Sequence, residues 1–248
     1  MPSDPVSLAA LSILVLIAAV LYSAVGHAGA SGYLAAMALF GVPASTMKPT
    51  ALVLNVLVAI IGTVRFARAG QTPWPLLMPL CAGSIPAAFV GGRITLPNHL
   101  FEPLLAVLLC MAAARLWSSG DQVVDQARPR PGALVGVGMG LGFLAGLTGI
   151  GGGVFLSPIV ILAGWETPRR TAGASAPFIL ANSIAGLIGH VSAGQPVPRQ
   201  VGVLAVMAIV GGFVGSWLGA TRLDQRTLKR VLAVVMVVAS MKLLAGVF

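Results

Sequence analysis

Long apolar stretches alternate with short polar or glycine-proline breaks along the whole chain. They fall at about 6–25, 30–42, 47–66, 74–92 and 98–117, and again at about 132–147, 150–164, 170–191, 199–219 and 226–247. Pro43, Pro73, Pro97, Pro168 and Pro198 mark breaks, where proline opens a helix or ends one. A membrane-spanning helix needs about 20 mostly apolar residues. Strands are disfavoured, because only helices or closed barrels satisfy their backbone in lipid and no alternating ten-residue pattern occurs. The pattern therefore predicts an all-α polytopic membrane protein of about ten segments. One polar connection, SSGDQVVDQARPRP, divides them. The predicted organisation is a first transmembrane repeat over 1–118, a cytoplasmic linker over 119–131, and a second transmembrane repeat over 132–248.

Composition agrees. Charged residues make up 8% of the 248 positions, against about 25% in soluble domains, and mean hydropathy is +0.97. That excludes a soluble enzyme, a disordered chain and a disulfide scaffold. The net charge of +9 comes without long basic runs or interleaved aromatics, so nucleic acid is not an expected partner. Cys81 and Cys110 lie in apolar stretches and are expected as small core residues, not as a bridge or a metal pair. The first segment lacks the basic start and short apolar stretch of a secretory signal, so it is expected to remain in the mature protein.

The two groups of five segments echo one another. Gly26, Gly29 and Gly32 recur as Gly146, Gly149 and Gly152, 120 positions later. Pro43 through Thr50 and Ala51 is echoed by Pro168 through Ser175 and Ala176, and Ala69, Gly70, Gln71 by Ala193, Gly194, Gln195. An odd number of crossings per half turns the second half upside down, the sequence form of an inverted-repeat transporter. Alternating the connections puts Arg65, Arg68, Arg115, Arg128, Arg130, Arg169, Arg170, Arg222, Arg226, Lys229 and Arg230 on one side. Lys48, Arg93, Arg199 and Lys242 fall on the other. The positive-inside rule makes the richer side cytoplasmic and places both termini outside.

Glycine spacing separates two roles. Gly138, Gly142 and Gly146, and likewise Gly211, Gly215 and Gly219, recur every four residues and read as packing ridges. The triplet spacing at 26–32 and 146–152 predicts two helix breaks. Broken backbone at membrane depth must line a cavity or lie buried in protein, and helix N-termini attract anions. The candidate substrate-binding residues are His27, Ser31, Thr148, Gly151 and Gly152 at the breaks, with Thr50, Asn55, Ser175 and Asn182 from adjoining segments. Lys48, Ser157, Ser183 and His190 are further polar residues in apolar segments, His190 near a segment end and expected at the interface. Asp4, Asp121, Asp125, Glu166 and Asp224 fall in termini or loops, and Glu102 is expected in a first helical turn. No carboxylate is expected at mid-membrane, which favours an anionic substrate over a cation. No hydrolase, metalloprotease or nucleotide-binding motif occurs, so neither an enzyme nor a cofactor or metal protein is expected.

Gly149 to Gly153 followed by Ser157 and Pro158, then Pro168 to Thr171, Ala174 to Ala176, and Ala193 with Gly194, resemble the second half of the sulfite exporter TauE/SafE family. The first half is similar, with His27 to Gly32 standing where the family usually has a richer glycine run. The resemblance covers about 8–246. It implies a bacterial inner-membrane permease for sulfite, organosulfonates or related anions. The expected partners are a small anion and the lipid bilayer, with a homodimer admissible. A non-transporting accessory subunit and an anion channel stand as alternatives.

Overall fold

The computed structural model describes residues 4–24, 26–118, 130–199 and 201–218, together with 234, 236–238, 240–241 and 243–244. Its helices are α1 (Pro5–Ala24), α2 (Ala30–Leu39), α3 (Ala44–Arg68), α4 (Trp74–Arg93) and α5 (Asn98–Ser118). The second group is α6 (Pro131–Thr148), α7 (Gly153–Leu162), α8 (Pro168–Ser192) and α9 (Val201–Leu218). The described residues from 234 onward are also helical. The linker at 119–129 and much of the last segment lie outside the described residues. This is an all-α membrane protein: α1, α3, α4, α6 and residues 170–192 of α8 are long and apolar enough to span a bilayer.

The order of lengths repeats. Helices of 20, 10, 25 and 20 residues are followed by helices of 18, 10, 25 and 18, leaving α5 aside. A ten-residue helix rises about 15 Å, half the hydrocarbon thickness, so neither α2 nor α7 crosses alone. Met78, Val107, Met139, Ile188, Val206 and Phe213 point outward, as suits a protein solvated by lipid.

Small residues decide which helices touch. A Cβ on Gly138, Gly142 or Gly146 of α6 would overlap the carbonyl oxygen of Leu80, Ser84 or Ala88 of α4. The numbers rise together, so α4 and α6 run parallel. Gly83 and Gly91 return the contact from α4, meeting the carbonyls of Val135 and Phe143. Gly211 and Gly215 of α9 meet the backbone of Leu16 and Val20 of α1, again in parallel. By contrast, Gly62 faces Ala176 and Gly186 faces Leu52, so α3 and α8 cross the centre antiparallel.

The charges sort by end. Arg65 donates to the Ser216 carbonyl, and the start of α8 at Gly173 abuts Gln71. At the opposite end Lys48 binds the last carbonyls of α4, and Gln195 binds Thr95. Outside the spans, the Asp4 carboxylate accepts the Ser7 amide at 2.8 Å, which holds it below the usual carboxylate range. Glu166 pairs with Arg170 at 3.0 Å.

Two expectations need correcting. Cys81 and Cys110 are both free, but Cys110 is exposed on the outer face of α5. A thiol is apolar enough that lipid serves as well as a core. Glu102 is the fifth residue of α5, just past its first turn. His190 lies two residues before the end of α8 and is buried, because the chain turns back at 193–196 and covers that end.

Candidate functional site

Both glycine breaks form. Gly26 and Gly29 have φ of 83° and 101°, and α2 starts one residue later. Gly149, Gly151 and Gly152 have φ of 83°, 78° and 78°, and α7 starts at Gly153. Left-handed backbone costs other L-residues roughly 1–2 kcal/mol each, so this loop is available only to glycine at a tolerable cost. No side chain caps the start of α2 or α7, leaving first-turn N–H groups for another partner.

The second break is wedged between the middles of α3 and α8. Asn55 Nδ2 donates to the Gly149 carbonyl at 3.2 Å. A Cβ on Gly151 would stand 2.9 Å from Asn55 Nδ2, 2.9 Å from Ile179 Cγ2 and 3.2 Å from Ser183 Oγ. Gly152 lies under the Phe178 ring, 3.0 Å from where its Cβ would be. Because the Gly149 carbonyl demands a donor, the Asn55 amide is oriented with Oδ1 away from it. Asn55 Oδ1, Asn182 Oδ1 and Ser183 Oγ are buried without a hydrogen-bond partner. Buried polar atoms are nearly always paired. Three idle ones close to a broken helix leave hydrogen-bonding capacity for something that enters.

The first break meets α8 at another level. His27 Nε2 lies 2.9 Å from Ser157 Oγ, which lies 2.9 Å from Ser175 Oγ. Ser175 also donates to the Thr171 carbonyl at 2.9 Å. This chain of three ties the loop before α2 to α7 and α8. Ser175 and Asn182 are seven residues apart, about 10 Å along the helix, so the candidate residues form two groups stacked along α8. Ser31 belongs to neither: its hydroxyl is 2.6 Å from Tyr22 OH, which reaches Met236 Sδ at 3.5 Å. Thr50 and Thr148 donate to the Thr46 and Leu144 carbonyls of their own helices, the ordinary habit of a helical hydroxyl.

Ser157 and Ser183 join these groups although the candidate set omits them. Each adjoins a residue that carried a signal, Pro158 in one case and Asn182 in the other. The direction each hydroxyl takes depends on how α7 and α8 pack. Lys48 is also missing from that set. It is 5% exposed, and its Nζ donates to the carbonyls of Gly91 at 3.2 Å, Gly92 at 2.8 Å and Ile94 at 2.8 Å. Among the described residues no cluster of His, Cys, Asp or Glu could hold a metal ion.

Asn182 makes only a local bond, Nδ2 to the Phe178 carbonyl at 2.8 Å. Asn182→Ala should therefore leave the fold intact and weaken ligand binding about tenfold, one buried hydrogen bond's worth. Calorimetric titration of the purified protein checks this, with melting temperature as the control on folding.

Comparison with known proteins accords with this architecture. The sulfite exporter TauE/SafE family matches residues 11–243. A probable membrane transporter protein of Sinorhizobium fredii is 36% identical over 240 residues, spanning 94% of this chain and 97% of the relative. One from Xylella fastidiosa is 30% identical over 113 residues, 45% of this chain and 43% of its own. One from Methanocaldococcus jannaschii is 28% identical over 161 residues, 62% of this chain and 60% of its own. No solved structure matches the chain.

Proposed function

Since the chain belongs to the sulfite exporter TauE/SafE family and is a membrane transporter, we propose that it is a secondary transporter of small anions, sulfite and organosulfonates foremost. The observation that carries this is the second glycine break. Uncapped N–H groups at the start of α7 sit beside Asn55, Gly151 and Ser183, midway along α3 and α8. A helix start carries about half a positive charge, and a sulfonate oxygen accepts several hydrogen bonds, each worth about 0.5–1.5 kcal/mol net.

Alternating access follows from two inverted halves. The parallel pair of α1 with α9 has its counterpart in α6 with α4, and α3 crosses α8 antiparallel between them. Gly26, after α1, lies against Phe66 and Ala172, whereas Gly149, after α6, lies against Lys48. The ends of α1 and α6 thus sit at opposite ends of α3, which supports inversion and a rocking of one half against the other.

Proteoliposomes loaded with sulfite or methanesulfonate test the reading. Saturable flux with counterflow is expected; flux without counterflow would make the protein a channel, and no flux of any anion would end the transport reading. The arginine-rich end faces the cytoplasm, with both termini outside and the protein in the bacterial inner membrane. Cysteines placed at Ala127 and Thr221, positions outside the described residues, should then react only from the cytoplasmic side. Reaction of either from outside would reverse the orientation.

A further inference from the structure

We propose that a cleft at the non-cytoplasmic end, built around Lys48, is a second anion-binding site, through which a small oxyanion passes on its way to the glycine break. The cleft is lined by Ser45, Lys48, Thr95, His190 and Gln195, with Leu147 as an apolar wall. Leu147 is the residue before Thr148, so this wall leads directly to the end of α6 and the second break. Lys48 is buried in α3, and its three donors are spent on the carbonyls that end α4. Those carbonyls carry the negative end of a helix dipole, about half a charge. They satisfy the hydrogen bonds of the ammonium but offset only part of its charge.

No carboxylate among the described residues pairs with it. Among the described residues the one ion pair joins Glu166 and Arg170, at the other end of α8. An ionisable side chain buried in a membrane protein and held by backbone carbonyls without a carboxylate marks a candidate ion or substrate pathway. His190 supplies a second, independent sign. It is 2% exposed, its Nε2 lies 3.3 Å from the Pro196 carbonyl, and its Nδ1 is buried with no partner. The carbonyl demands an N–H from Nε2, which leaves Nδ1 of the neutral ring as an acceptor. A singly protonated oxyanion, or a water carried with the anion, would fill it. Thr95 Oγ1 accepts from Gln195 Nε2, so its own proton is free to turn toward a ligand. Residual positive charge, a hydroxyl donor and an idle acceptor together suit a small oxyanion that retains a proton.

The same chemistry could be met by the phosphate of an anionic lipid, and the experiment separates the two sources. The exposed Ser45 is changed to cysteine in a background lacking Cys81 and Cys110, and the protein is placed in vesicles of phosphatidylcholine alone. An anionic methanethiosulfonate reagent should modify S45C about tenfold faster than a cationic one, relative to a cysteine at exposed Asn98 of the same end. Lys48→Met should erase that preference. Inorganic phosphate, an oxyanion that retains a proton at neutral pH and does not attack the reagent, should protect S45C in a saturable way, and adding anionic lipid should not be needed for either result. Preference or protection that arises only with anionic lipid would assign the cleft to a headgroup and overturn the proposal. Absence of protection with Lys48 intact would overturn it too, whether or not Lys48→Met folds.

The proposal rests on the anion-transport reading for the role of the site, not for binding itself. Flux without protection would remove the cleft and leave the transporter. Protection without flux would keep the cleft and remove the transporter.

Discussion

Gly151→Ala should abolish sulfite flux in proteoliposomes, while Gly70→Ala leaves it near wild type. Both glycines have positive φ, 78° and 66°, so both variants bear the same backbone penalty of roughly 1–2 kcal/mol. Their surroundings differ. A Cβ at position 70 meets nothing within 4 Å, whereas one at 151 comes within 2.9 Å of both Asn55 Nδ2 and Ile179 Cγ2. Ile179 is buried within the core and Asn55 is held by the Gly149 carbonyl. Alanine must therefore displace the amide or lift the loop, and either movement occupies the space beside the start of α7. A cost of a few kcal/mol remains within the 5–15 kcal/mol of an ordinary fold, so the protein should still elute as one species. Normal flux through a folded Gly151→Ala protein would remove the second break from the transport path.

Gly142→Leu should be severely damaging to folding. The Gly142 Cα lies on the backbone of Ser84, and a Cβ would overlap that carbonyl oxygen. Because the neighbour is main chain, no rotamer can yield. α4 and α6 must part along the whole ridge from Gly138 to Gly146, losing the close approach that holds helices together where lipid is as apolar as the side chains. Overpacking costs about 1–3 kcal/mol when side chains can shift, and here it should exceed that range. Gly140→Leu, two residues away and exposed with nothing within 4 Å of its Cβ, is the matched control. Leucine there should be neutral or stabilising by up to about 1 kcal/mol, since glycine is a poor helix former. Melting temperature and monodispersity in detergent read both. Equal behaviour of the two variants would mean that the α4 and α6 contact is not what the fold depends on.

Periodicity and composition alone reach far in this protein, and the reason is the solvent. Lipid forces each segment to satisfy its own backbone, so the apolar stretches among the described residues become helices whatever their neighbours do. The breaks at 26–29 and 149–152 were readable for a similar local reason: dense glycine removes helix preference and supplies left-handed backbone. The ridge of Gly138, Gly142 and Gly146 could be recognised as packing, because a four-residue spacing puts all three on one face.

What that face meets is another matter. Nothing local to α6 says that it lies on α4, or that the two run parallel, because partner choice is settled by every other helix at once. The same holds for side chains with two options. Thr50 and Thr148 only turn back to their own helices, whereas Ser157 bonds the Gly153 carbonyl of its helix and also meets His27 and Ser175. In sequence these hydroxyls are alike; the distance to a second acceptor decides, and only packing sets it. Lys48 shows the limit best. Its sequence position marks a charge in an apolar segment, but the carbonyls that hold it lie more than forty residues on, at the end of α4. Local physics determined the helices and their breaks, and tertiary packing alone decided which polar atoms were left without partners.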